Sequence, residues 1–223
     1  SLAILEKALG PEHPDVAGSL HNLAGIYQSQ GRYAQAERLF ERALAFQKKV
    51  LGPRHQDVAR TLGSLADLYT SQGRYAEAES HYNHVLAIED SMLGPEHPDI
   101  AGTLHNLAGL YLMQKRYVEA ELLLKRVLAL LEKTFGRSHP SMATALDSLA
   151  TLYRMNGRYS EAKQILEQAL LIRGEILGPA HPDIAPTEGF PSRDQIKLIE
   201  FSPAEALEND QANKERFVEI FGG

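Results

Sequence analysis

The stretch HPDVAGSLHNLAGIYQSQGRYAQAERLFERALAFQKKVLG, residues 13–52, holds two helical patterns divided by one breaker. In the first, Val16, Leu20, Leu23, Ala24 and Tyr27 follow the three-and-four spacing that gathers apolar side chains on one face. Gly31 ends that pattern, as a residue tolerant of positive φ. The second pattern carries Ala36, Leu39, Phe40, Ala43, Leu44 and Phe46, and Gly52 with Pro53 stops it. Pro14 suits the first helical turn, where its missing N–H costs nothing, and Asp15 suits the positive end of the helix dipole.

Both punctuation marks recur along the chain. Gly10, Gly52, Gly94, Gly136 and Gly178 keep a constant spacing of 42, as do His13, His55, His97, His139 and His181. Midway between them stand GRYAQAE from Gly31, GRYAEAE from Gly73, KRYVEAE from Lys115 and GRYSEAK from Gly157. A repeat of this length is one supersecondary unit that cannot bury its apolar face alone, so neighbouring units must stack. Small and large residues alternate to suit: Ala24, Ala66, Ala108 and Ala150 admit close helix approach, and Ala36, Ala78, Ala120 and Ala162 match them on the second helix. Tyr27, Tyr69, Tyr111 and Tyr153 are expected to fill the space between neighbouring pairs. The periodic histidine reads as a helix-start residue, because one per repeat, about 10 Å apart, cannot chelate one ion. No metal site and no cofactor are expected.

The order Leu-Ala, Tyr, then Ala resembles the tetratricopeptide repeat over residues 1–185. The period of 42, with HPDVA, HNLAGIY, GRYAQAE and ERAL, looks like the kinesin-light-chain class of that family, and similar long repeats occur in bacterial and cyanobacterial sensor and scaffold proteins. The resemblance implies an all-α fold, a right-handed superhelical solenoid of antiparallel helix pairs. Four full repeats would occupy residues 10–177, with partial repeats at both ends. It implies a protein–protein interaction scaffold or adaptor that holds a peptide segment or protein partner in a concave groove. The alternative is a sensor or docking arm of a larger signalling protein or protease.

In such solenoids the first helix of each pair lines the groove. The facing positions are then Gly18, His21, Asn22, Gly25 and Gln28; Arg60, Gly63, Ser64, Asp67 and Thr70; Gly102, His105, Asn106, Gly109 and Leu112; and Thr144, Asp147, Ser148, Thr151 and Arg154. Asn22 and Asn106 match the asparagine that resembles the family's peptide-backbone contact, an amide able both to donate and to accept. Gly18, Gly25, Gly102 and Gly109 sit inside helices, where glycine costs about 1 kcal/mol relative to alanine. Either another backbone approaches there, or glycine relieves crowding between adjacent first helices. Family members that clamp a terminal carboxylate use lysine and arginine where this chain has His21, Gly25, His105 and Gly109, so that clamp is not expected. Arg60 and Arg154 can pair with acidic ligand residues.

Composition narrows the classes further. Net charge is -6, with acidic and basic residues interspersed, which argues against a phosphate-binding stripe and so against nucleic acid. No apolar run approaches the roughly 20 residues that span a bilayer. SLAILEKALG at the start has no basic leader before an apolar core, and there are no cysteines; a cytoplasmic protein is expected. The motifs GxxxxGK[ST], HExxH and GxSxG are absent, so no enzyme is expected.

Both ends depart from the repeat. AILEKALG near the start parallels AFQKKVLG, the latter half of a second helix, which points to a fragment of a longer array with Leu2, Ile4 and Leu5 uncovered. Self-assembly through exposed repeat ends is a further possibility. Pro186 falls inside what would be a fifth repeat's first helix. Beyond it, an extended piece is expected from Ile196 to Phe201, then a helix from Ser202, Pro203 and Glu205 to Phe221 with Leu207, Phe217, Val218 and Ile220 on its apolar side. Residues 186–223 are a fused or groove-bound peptide, the start of a native domain, or a cap on the last repeat.

Overall fold

A computed structural model describes residue 10 and residues 13–177. Residues 1–9 and the tail after 177, with the expectations placed on them, lie outside the described residues. Among those described there are eight helices and no strands: α1 (Pro14–Ser29), α2 (Tyr33–Leu51), α3 (Gln56–Ser71), α4 (Tyr75–Leu93), α5 (Ile100–Met113), α6 (Tyr117–Phe135), α7 (Pro140–Met155) and α8 (Tyr159–Leu177). The chain divides into two compact units, Ser1–Leu110 and Tyr111–Gly223.

The periodic histidines start the first helices. The Nδ1 of His55 accepts from the Asp57 N–H at 3.1 Å, that of His97 from Asp99 at 3.3 Å, and that of His139 from Ser141 at 3.2 Å. The ring nitrogen thus takes the place of the usual Ser or Asp oxygen on an orphan amide. The histidine carbonyl joins in, accepting from Val58 and Ala59 after His55 and from Met142 after His139. The third repeat differs: Pro98 and Asp99 lie in a turn and α5 begins only at Ile100. Each short turn within a pair needs one residue in the left-handed region. Gly73 fills it at φ 74°, and Lys115 holds the same place at φ 60°, a conformation unfavourable for a residue with a Cβ.

In the first unit α1 packs on α2, α3 on α4, and α2 on α3. Val16 and Leu20 of α1 meet Ala43 of α2, while Val58, Ala59 and Leu62 of α3 meet Val85 and Ile88 of α4. Ala24, Ala36, Ala66 and Ala78 are fully buried, which is what close approach of helix backbones requires. In the second unit α7 packs on both α6 and α8, and Leu146, Leu149 and Leu152 of α7 are buried, as are Leu128 of α6 and Ile165 of α8.

Two of the tyrosines reach the neighbouring pair, as the spacing predicts. Tyr69 of α3 donates its hydroxyl to Glu37 of α2 at 3.1 Å. Arg74 binds the same carboxylate at 2.8 Å and lies 4.1 Å over the Tyr69 ring. Burial pushes the Tyr69 hydroxyl up to about 12, so it remains a donor at neutral pH. The second unit repeats the staple: Tyr153 donates to Glu121 at 2.9 Å, Arg158 binds Glu121 at 2.6 Å, and its guanidinium stacks 3.9 Å over Tyr153.

Candidate binding surface

The first unit carries Gly18, His21, Asn22 and Gly25 on α1, Arg60, Ser64 and Asp67 on α3, and Gly102, His105, Asn106 and Gly109 on α5. Helices α1 and α3 lie side by side, joined where His21 Nδ1 stands 3.1 Å from the buried Thr61 hydroxyl. Helix α5 is tied to α4 by Thr103, whose hydroxyl donates to Glu89 at 3.1 Å. The second unit carries Asp147, Ser148, Thr151 and Arg154 on α7.

Asn22 and Asn106 are exposed, and among the described residues neither amide has a hydrogen-bond partner. The serines at the equivalent positions differ, turning back on their own helices: Ser64 donates to the Arg60 carbonyl at 3.2 Å and Ser148 to the Thr144 carbonyl at 3.3 Å. A Cβ built on Gly18, Gly25, Gly63, Gly102 or Gly109 meets nothing within 4 Å. Crowding between first helices therefore does not explain them, and no described residue fills the space beside each.

Other predicted positions are committed inside the fold. His21 also meets Phe40 edge-on at 5.2 Å, so its ring belongs to the packing of α1. Asp67 accepts from the Tyr82 hydroxyl, and Asp147 is paired with Arg173. Arg60 pairs with Asp57 at 2.9 Å one turn away and stays exposed, and Arg154 is exposed. Thr151 is half-buried.

One column of residues escaped the sequence reading. Gln47, Glu89, Leu131 and Arg173 share a repeat position on the second helices, where Arg173 reaches a first helix. Gln47 is buried with its carbonyl oxygen unbonded, and Glu89 has one buried oxygen without a partner. A polar residue recurring in an otherwise apolar helical face was the available signal. Burial, with Asp90 and Asp99 adding charge, raises the Glu89 carboxyl.

Burial acts oppositely on the histidines. It lowers His21, with Arg60 adding to the effect, and lowers His81 and His105. A histidine held below its ordinary 6.5 contributes stability that is complete above pH 6.5 and is lost as acidification forces a proton onto the ring. Glu89, raised above its ordinary 4.5, works the other way: its contribution is present below pH 4.5 and is lost as the pH rises. Melting curves are therefore expected to shift down between pH 7.5 and 5.5, and less so in a His21→Asn, His105→Asn chain. Glu89→Gln is expected to raise the midpoint near neutrality. An unchanged midpoint over that range would contradict the histidine assignment.

The tetratricopeptide repeat family model matches at residues 1–49, 15–91, 57–133 and 99–175. Among solved structures, the nearly identical TPR-like repeats of a kinesin light chain from Podosopora anserina are 34% identical, with a TM-score of 0.69; the match covers 79% of this chain and 84% of that one. BtubC (BKLC) from P. vanneervenii shares the fold, with a TM-score of 0.68 at 24% identity over 84% of this chain and 72% of that one. Nephrocystin-3 of Xenopus laevis is 51% identical over 43 residues, 19% of this chain. The chain spans only 3% of the length of that relative. Family-model matches running from residue 1 to 175, over eight described helices set as pairs at a 42-residue period, show that the chain belongs to the tetratricopeptide repeat family, in its kinesin-light-chain-like class.

Proposed function

We propose that the chain holds an extended segment of a protein partner against the exposed side of its first helices, as a scaffold and not as a catalyst. Tetratricopeptide repeats are in general protein-interaction scaffolds; the finer reading rests on one observation. Asn22 and Asn106 expose amides with no partner among the described residues, flanked at Gly18, Gly25, Gly102 and Gly109 by helix that carries no side chain. An amide offers a donor and an acceptor to a peptide unit, so it grips main chain with little demand on sequence. The bare helix beside it lets that main chain come close. On the same unit Arg60 adds a cation for acidic side chains of the guest. Residues 186–223, which leave the repeat pattern, are a candidate guest in cis.

The test begins with a peptide selected from a random display library on the immobilised full chain. Asn22→Ala with Asn106→Ala is expected to weaken that peptide about tenfold or more, at about 0.5–1.5 kcal/mol for each lost bond, with helicity unchanged. Equal affinity for the wild-type and double-variant chains would remove both amides from the site. If the tail occupies the surface, deleting residues 186–223 raises affinity for the added peptide.

A further inference from the structure

The four turns within pairs share one geometry and differ in one residue. Ahead of the left-handed position stand Gln30, Gln72, Gln114 and then Asn156, so Asn156–Gly157 is the chain's one Asn-Gly pair. Asn156 is exposed at the end of α7, and among the described residues its side-chain amide has no hydrogen-bond partner. Gly157 is exposed too, at φ 76°, and a Cβ there would meet nothing within 4 Å, so its amide nitrogen is uncrowded. Its N–H donates to the Arg154 carbonyl at 3.2 Å, the longest of the four equivalent bonds, against 2.9 Å at Gly31 and 3.0 Å at Gly73 and Lys115. Asn22 and Asn106, by contrast, precede leucines, whose side chains crowd the next amide nitrogen.

Two residues beyond Asn156, the same turn sets the staple of the second unit. The Arg158 N–H donates to the Tyr153 carbonyl at 2.8 Å, and its guanidinium lies over the Tyr153 ring and binds Glu121 and Glu161. The placement of Arg158 therefore depends on the number of backbone atoms between it and Tyr153.

We propose that Asn156 is a spontaneous modification site whose isoaspartyl product unfastens Arg158 from Tyr153 and Glu121. In the first step the Gly157 nitrogen attacks the Asn156 side-chain carbonyl carbon. The new C–N bond closes a five-membered succinimide, the bond to Nδ2 breaks, and ammonia leaves with the Gly157 amide proton. Glutamine at the other three turns would have to close a six-membered ring, which forms more slowly. Water then opens either imide carbonyl. Cleavage on the side-chain side gives aspartate, and cleavage on the main-chain side gives isoaspartate, with one extra carbon in the backbone. With Asn156 at ψ 7° and Gly157 bonded to Arg154, the ring cannot close until the turn opens, so the folded turn sets the rate. The inserted carbon lengthens the path from Tyr153 to Arg158, and the new carboxylate sits at the negative end of the α7 dipole.

The full chain, held in mildly alkaline buffer and sampled over time, provides the test. Peptide mapping by mass spectrometry is expected to place conversion at Asn156 ahead of Asn22, Asn83 and Asn106, with methyl transfer from S-adenosylmethionine by protein-isoaspartate methyltransferase reporting the isoaspartate. Asn156→Gln is expected to remove that signal from the turn, and urea to speed the conversion about tenfold or more. In the aged fraction, amides in the last turn of α7 and the first turn of α8 are expected to lose about tenfold of their protection against hydrogen exchange, the joint worth of the ring contact and the tyrosine bond. Asn156→Asp adds the charge without the extra carbon, and its expected loss is less than about threefold. In Arg158→Ala the protection is expected to be low from the start, with little further loss on ageing. An unconverted Asn156, an aged chain as protected as a fresh one, or Asn156→Asp as unprotected as the aged chain overturns the proposal. So does a full further loss on ageing in Arg158→Ala, because the product would then act through some other contact.

Discussion

Tyr153→Ala is expected to destabilise the second unit by about 3–5 kcal/mol, in the range for deleting a buried aromatic ring. The ring is almost wholly buried beneath the Arg158 guanidinium, and its hydroxyl reaches Glu121 on the preceding pair. Alanine therefore removes packing within α7, the cation–π contact and the link to α6 together. Tyr153→Phe separates these effects. It keeps the ring and the stack, and Glu121 keeps Arg158 and Lys125, so the expected loss is about 1 kcal/mol. Urea unfolding of the two variants checks both values. Equal losses for alanine and phenylalanine would mean that the hydroxyl, and not the packed ring, holds the pairs together.

The fold was legible because its breakers and its apolar stripes repeat in step. Gly31 and Gly52 mark helix ends that the structure reproduces at Ser29 and Leu51, and Ala24, Ala66 and Tyr69 are buried as their spacing predicts. The histidines read correctly as helix-start residues, although the sequence alone did not reveal that the ring nitrogen itself is the acceptor. The arginine of the GRY motif was read as punctuation only. Its partner lies 37 residues away on another helix, and a contact that depends on how pairs stack leaves no local trace in sequence. The candidate site was legible in part. Periodicity put His21 and Asn22 on the same helix, but only tertiary contacts separate a ring held by Thr61 and Phe40 from an amide left in solvent. The glycines showed the same limit. Their positions were evident, whereas the empty space beside them is a property of the neighbours.

That empty space leads to the second large effect. Gly18→Ala, Gly25→Ala, Gly102→Ala and Gly109→Ala together are expected to stabilise the chain by roughly 3–4 kcal/mol, about 1 kcal/mol at each helical site. All four lie inside α1 or α5, none has positive φ, and the added methyl groups meet nothing within 4 Å. Nothing within the described chain accounts for glycine at these sites. Keeping it sacrifices stability with no gain among the described residues, and the proposed guest's main chain would supply one.

The most direct measurement sets the melting midpoint of the fourfold alanine variant beside its affinity for the display-selected peptide. A surface kept open for a guest predicts a higher midpoint with binding weakened several-fold, because each methyl stands where the peptide backbone would lie. A higher midpoint with undiminished affinity would contradict the account, leaving the glycines without a guest and the first helices without their assigned role.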